Sequence, residues 1–217
     1  MKAVSIADGI SSPVWTLPYI IGRNNPGVYD PRPESKRDDP AARQTFIDVP
    51  ETAYFAEAVN WAVENGIAAG TSDNTFSPES DCTRAQIVTF LWRAFGSPKS
   101  GKTPEVFPDI DADAYYADAV AWAVENGITA GTSDTTFSPN DICTRAQAVI
   151  FLWRAAGCPA ASVGSPFADV EADAYYADAV AWALESGITS GTSETTFSPE
   201  QECTRAQIIT FLWRSMK

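Results

Sequence analysis

Histidine is absent from all 217 residues. That removes Ser-His-Asp and Cys-His catalysis, and any imidazole-ligated metal centre. Basic charge is scarce: 15 Lys+Arg face 28 Asp+Glu, a formal net charge of −13. A general nucleic-acid binder needs clustered positive charge, so that partner is not expected. Long apolar runs are missing too. None approaches the roughly 20 residues that cross a bilayer, so no membrane insertion is expected. The start carries no export signal, since Asp8 and Gly9 stand where an apolar stretch would lie. The expectation is a cytoplasmic chain or a piece of a longer exported one. With 45% hydrophobic and 20% charged residues, the composition is that of a globular protein.

What the chain has in abundance is repetition. Phe46-Ile47-Asp48-Val49 recurs as Phe107-Pro108-Asp109-Ile110 and Phe167-Ala168-Asp169-Val170, at offsets of 61 and 60 residues. Trp61, Trp122 and Trp182 keep those offsets, as do Gly70, Gly131 and Gly191, each followed by Thr-Ser. The string Cys-Thr-Arg-Ala-Gln begins at Cys82, Cys143 and Cys203, and each copy is closed by Phe-Leu-Trp-Arg. The expected organisation is an irregular segment over 1–45 and repeats over 46–97, 107–159 and 167–217, joined by Gly/Pro/Ser-rich linkers. Charge separates the parts: 1–45 holds 6 basic and 5 acidic groups, whereas 46–217 holds 9 and 23. A short strand is expected near Val14 to Ile21.

Each repeat reads as helix, loop, helix, so the fold is mainly α. In repeat 2, Tyr116, Ala119, Val120, Ala123 and Val124 form one apolar face of a helix over about Ala114 to Asn126. Gly66, Gly127 and Gly187 fall where a left-handed C-terminal cap belongs. After a loop of about 16 residues, a second helix of roughly 12 residues starts at Thr83, Thr144 or Thr204. Thr with Gln three residues on is a capping box. One hairpin is too small to bury a core, so the three should fold as one body.

The arginine of the string is the residue that demands explanation. At 100° per residue, Arg84 shares a side with Ile87, Val88 and Leu91, while Arg93, Arg154 and Arg214 point away, toward solvent. A guanidinium at the head of an apolar stripe needs a partner. Either a carboxylate such as Asp48, Asp109 or Asp169 pairs with Arg84, Arg145 and Arg205, or an anionic ligand does, aided by the free N–H groups and dipole of the helix start. The tryptophans lie off the first helix's apolar face, so they pack between repeats or offer an exposed stacking surface. Cys82, Cys143 and Cys203 read as small buried residues rather than thiolate ligands, and Cys158 has no counterpart. Asp109, Asp111 and Asp113 begin like a calcium loop, but Ala114 and Val120 occupy its glycine and acid positions. No cofactor or metal is expected. No paired acid and nucleophile is defined, so no catalysis is expected either.

The ordered set Phe-x-Asp, Trp-Ala, Gly-Ile, Gly-Thr, Thr-Phe-Ser-Pro and Thr-Arg-Ala-Gln, occurring three times over 46–217, resembles S-layer homology repeats. The resemblance implies a pseudo-threefold assembly, with a central helical bundle, three prongs and grooves between repeats. It implies a module anchoring exported proteins to the bacterial cell wall, through an acidic secondary wall polysaccharide often bearing pyruvate ketals. It also implies a cargo domain elsewhere in the exported protein. Carried over residue by residue, Arg84, Arg145 and Arg205 would hold the ligand's acid. Asp48, Asp109, Asp169, Trp61, Trp122, Trp182, Gly70, Gly131 and Gly191 would line the grooves. The family string usually ends in Glu; here Gln86, Gln147 and Gln207 keep the cap without the charge. Asn74 and Thr135 stand where a glycine is common. An acidic chain can hold an acidic polymer, because contact charges outweigh distant ones screened over about 8 Å. Arginine-to-alanine changes are then expected to weaken wall binding without unfolding the module. The rival expectation is a protein-interaction or self-assembly module.

Overall fold

The computed structural model describes residues 45–101 and 107–217. The expected strand near Val14 to Ile21, the rest of the N-terminal segment before residue 45, and part of the first linker lie outside the described residues. Among the described residues six helices follow in order: α1 Ala56–Glu64, α2 Arg84–Ala94, α3 Ala117–Glu125, α4 Arg145–Ala155, α5 Ala177–Glu185 and α6 Arg205–Ser215. Each repeat is thus a helix pair, but the pairs do not close on themselves. The second helix of one repeat packs on the first helix of the next: α2 on α3, α4 on α5, and α6 back on α1. The three second helices also meet one another and form the central bundle.

The first helices are shorter than periodicity suggests. Residues 112–116 form turns, and α3 starts at Ala117 behind an N-cap, Tyr116, whose side chain makes no capping bond. Their C-termini close as the glycines predict. Gly66 adopts φ +67°, with Gly66 N–H bonding Val63 O and Ile67 N–H bonding Ala62 O, the paired bonds of a Schellman end. The second helices start as predicted. Thr83, Thr144 and Thr204 each accept the backbone N–H three residues on, and the Gln side chain answers in return. Thr144→Ala should cost about 1 kcal/mol, read as a lower denaturant midpoint with an unchanged slope; an unaltered midpoint would show that the cap contributes nothing.

At the axis of the bundle the chain closes on itself. Cys82 N–H bonds Cys203 O at 2.9 Å, Cys203 N–H bonds Cys143 O at 2.9 Å, and Cys143 N–H bonds Cys82 O at 3.0 Å. Isolated antiparallel bridges flank this triangle, at Asp81 with Thr204, Thr83 with Ile142 and Thr144 with Glu202. All three thiols are fully buried. Burial pushes Cys82 and Cys143 up to about 12, and Cys203 upward as well. They are inert packing groups, the role their repeated position predicts. Around them Phe76, Phe137 and Phe197 are completely buried, each contributing roughly 2–3 kcal/mol by leaving water.

Candidate functional site: three clefts between repeats

The four N–H groups that a helix start leaves without internal partners are all used in α2. Thr83 N–H bonds Gln86 Oε1, Arg84 N–H bonds Asp141 O, Ala85 N–H bonds Pro139 O, and Gln86 N–H bonds Thr83 Oγ1. The same holds for α4, which reaches Gln201 O and Pro199 O, and for α6, which reaches Ser80 O and Pro78 O. The expectation of anion-ready helix starts is therefore corrected. The loop of the next repeat in the ring has taken those donors.

The arginines follow the same rule. Arg84, Arg145 and Arg205 are only 5%, 3% and 6% exposed. Their Nε groups donate at 2.9, 2.9 and 3.0 Å to the backbone oxygens of Phe137, Phe197 and Phe76, each in the next repeat. Each guanidinium also lies over two phenylalanine rings: Phe137 and Phe151, Phe197 and Phe211, or Phe76 and Phe90. Burial pushes all three pKa values down from the arginine range. They remain cations near neutral pH.

The carboxylates considered from sequence reach the arginines only through backbone. Asp48 accepts from Phe76 N–H at 2.9 Å and Ser77 N–H at 2.7 Å. Asp109 holds Phe137 and Ser138 likewise, and Asp169 holds Phe197 and Ser198. One phenylalanine residue thus gives its N–H to an acid and its carbonyl to an arginine. Acid and base are brought together with a polarised stretch of backbone between them. Partial burial pushes Asp169 upward, but the N–H groups of Phe197 and Ser198 outweigh it and hold the carboxyl below its usual value. These bonds also stabilise the positive φ of Ser77, Ser138 and Ser198, near +57° to +59°.

The glycines are backbone requirements of the same loops. A Cβ on Gly131, at φ +90°, would meet Thr136 O at 2.5 Å and the Phe107 ring at 2.8 Å. Gly191 is confined in the same way by Thr196 O and Phe167, and Gly70 by Ser72 O and Phe46. The tryptophans take the packing alternative. Trp122 and Trp182 are 5% and 6% exposed, and Trp61 is half-buried. Trp122 meets Phe95 of repeat 1 at 5.5 Å between ring centres. Arg93, Arg154 and Arg214, expected in solvent, are half-buried. They donate to Ile67 O, Ile128 O and Ile188 O and tie each second helix to the end of its own first helix.

The exposed aromatic rings are ones the sequence reading did not single out. Tyr54, Tyr115 and Tyr175 are 60%, 60% and 69% exposed and lean edge-on against Phe55, Tyr116 and Tyr176. Burial and Glu79 push Tyr54 upward against the pull of Arg145 and Arg214. Burial and Tyr116 do the same to Tyr115, opposed by Arg93 and Arg205. Burial, Glu200 and Cys143 raise Tyr175, and Cys143 itself feels Arg84. Tyr54 and Tyr115 therefore feel groups of all three repeats, and Tyr175 groups of repeats 2 and 3. The shared phenylalanines define three clefts: cleft I joins Asp48 and Arg205 at Phe76, cleft II joins Asp109 and Arg84 at Phe137, and cleft III joins Asp169 and Arg145 at Phe197. Tyr115 feels Arg205, and Tyr54 feels Arg145. An open hollow of about 490 Å³ lies against Asp48, Phe55 and the loop Ser77–Ser80. The missed signal was the doubled aromatic pair before each first helix, of which one ring is buried or half-buried and the other left out.

A sequence profile of the S-layer homology domain matches residues 45–88, 106–149 and 166–209. The chain belongs to the S-layer homology family. Among proteins it resembles is the surface-layer 125 kDa protein of Lysinibacillus sphaericus, 32% identical over 76% of this chain and 14% of that protein. An endoglucanase of Bacillus sp. (strain KSM-635) is 30% identical over 78% of this chain and 19% of its own length. The cellulosome-anchoring protein of Acetivibrio thermocellus is 28% identical over 51% and 25%. The chain thus spans a quarter or less of these relatives. Among the described residues of this S-layer homology chain, no helix is long and apolar enough to cross a membrane.

Proposed function

We propose that the chain is a non-catalytic module that anchors a bacterial surface protein to the cell wall by holding an anionic secondary wall polysaccharide in clefts between its repeats. Membership of the S-layer homology family supports anchoring, as do relatives named for surface layers and for cellulosome anchoring. A relative that is an endoglucanase fits the same role, since this chain matches only 19% of it. The observation that carries the glycan reading is an exposed tyrosine within electrostatic reach of a cleft arginine, Tyr115 of Arg205 and Tyr54 of Arg145. An exposed tyrosine face is suited to stacking on a sugar ring, and a buried cation beside it supplies charge to an acid. No buried side-chain nitrogen lacks a partner among the described residues. The terminal nitrogens of Arg145, which make no hydrogen bond among the described residues, thus keep contact with solvent at the cleft. Backbone clamping by the acids and glycines holds this surface rigid before any ligand arrives.

The test is sedimentation of the protein with purified cell-wall sacculi. Replacing Tyr54, Tyr115 and Tyr175 together with alanine removes about 0.5–1.5 kcal/mol of stacking per occupied cleft. Affinity should fall about two- to tenfold for each occupied cleft while the thermal midpoint stays where it was. Undiminished sedimentation of the triple variant would sink the proposal, as would parent binding that survives stripping of the secondary polymer.

A further inference from the structure

The three clefts differ at one position. The residue after each Gly-Ile pair is Thr129 in repeat 2 and Thr189 in repeat 3, but Ala68 in repeat 1. The threonines are 4% and 3% exposed, and their hydroxyls accept the N–H of Gly131 and Gly191, each at 3.2 Å. That bond accompanies φ values of +90° and +83° at the two glycines. Ala68 has no hydroxyl, and Gly70 lies outside the left-handed region. The peptide between residues 69 and 70 then presents its oxygen inward, and Arg205 Nη2 donates to Ala69 O at 2.9 Å. In cleft II the matching Arg84 nitrogen makes a longer, 3.5 Å contact with Thr129 Oγ1, and the guanidinium also reaches the Cys143 thiol. In cleft III the side chain of Arg145 donates, among the described residues, from Nε alone.

We propose that this single position decides which clefts take a carboxylate-bearing sugar: clefts II and III do, and cleft I does not. The inference rests on the glycan reading above. In cleft I a carbonyl oxygen already occupies the guanidinium and turns its negative end toward the place an acid would come. An arriving carboxylate must displace a short charge-assisted bond and leave Ala69 O unpaired, a loss that outweighs what it gains. In clefts II and III no described carbonyl accepts from the matching terminal nitrogens, so those of Arg145 are left for a two-pronged acid.

Calorimetric titration of the full chain with a glycoside carrying a pyruvyl ketal provides the test. The parent should bind two equivalents, and Ala68→Thr three. Thr129→Ala should weaken one of the two sites at least tenfold. Three equal sites in the parent would overturn the ranking and leave the glycan reading standing. No binding at all would remove that reading and the ranking with it. A ligand-free measurement checks the cause: the Gly70 amide should exchange much faster than those of Gly131 and Gly191, and Ala68→Thr should slow it to match. Equal exchange in the parent would refute the inverted peptide.

Discussion

A chain ended at residue 159, without the third repeat, should lose cooperative folding altogether. In an open array of repeats, each unit touches only its neighbours, and removing the last lowers stability by one increment. Here the last unit is also the neighbour of the first. Without it, α1 loses α6, Cys82 N–H loses Cys203 O, and Phe76 O loses the guanidinium of Arg205. Arg145 would keep its position on α4 but lose Phe197 O, the backbone acceptor of its Nε. Two repeats would then carry a bare apolar helix face and a buried-type cation without its acceptor, and the penalties multiply rather than add. Thermal scans of the shortened chain should show no sharp transition, and its amides should exchange fast. Supplying 160–217 in trans should restore both. A sharp transition in the two-repeat chain would refute ring closure as the source of stability.

Arg84→Ala, Arg145→Ala and Arg205→Ala should each destabilise the module by about 3 kcal/mol, lowering the thermal midpoint by roughly 6–12 °C. The sum comes from an orphaned backbone oxygen, two phenylalanine rings stripped of their cation, and a cavity. This reverses the simple expectation that these arginines report only on ligand. Arg93→Ala, which removes one 3.3 Å bond from a half-buried side chain, should cost no more than about 1 kcal/mol. A midpoint for Arg84→Ala within a degree of the parent would show that the inter-repeat clamp is not structural. Wall-binding assays on these variants need a matched stability measurement, because lost binding could otherwise be lost folding.

Much of this was legible in the sequence because it is local. The capping boxes need only Thr and Gln three apart, and the Schellman ends need only Gly66, Gly127 and Gly187 in place. The burial of Cys82 follows from its recurrence beside an apolar stripe. What escaped was the wiring between repeats. Arg84 and its acceptor, Phe137 O, are 53 residues apart, and no spacing rule names a backbone carbonyl as the partner of a cation. The tryptophans left two readings open for a related reason. A helix wheel places Trp122 off its own repeat's apolar face, and only the docking of α3 on α2 shows that this second face is also inside. The tyrosines were hidden by the reverse effect, since Tyr115 and Tyr116 look alike in sequence and only the turn before α3 sends one ring outward.

The triangle of cysteine backbones has a rotational sense: each link gives to one neighbour and takes from the other. A loop of this kind has no loose end at which a fourth member could attach. An extra copy inserted by duplication would find every socket filled and would dangle beside a complete set. Lengthening such a protein by this device should therefore succeed only in multiples of three.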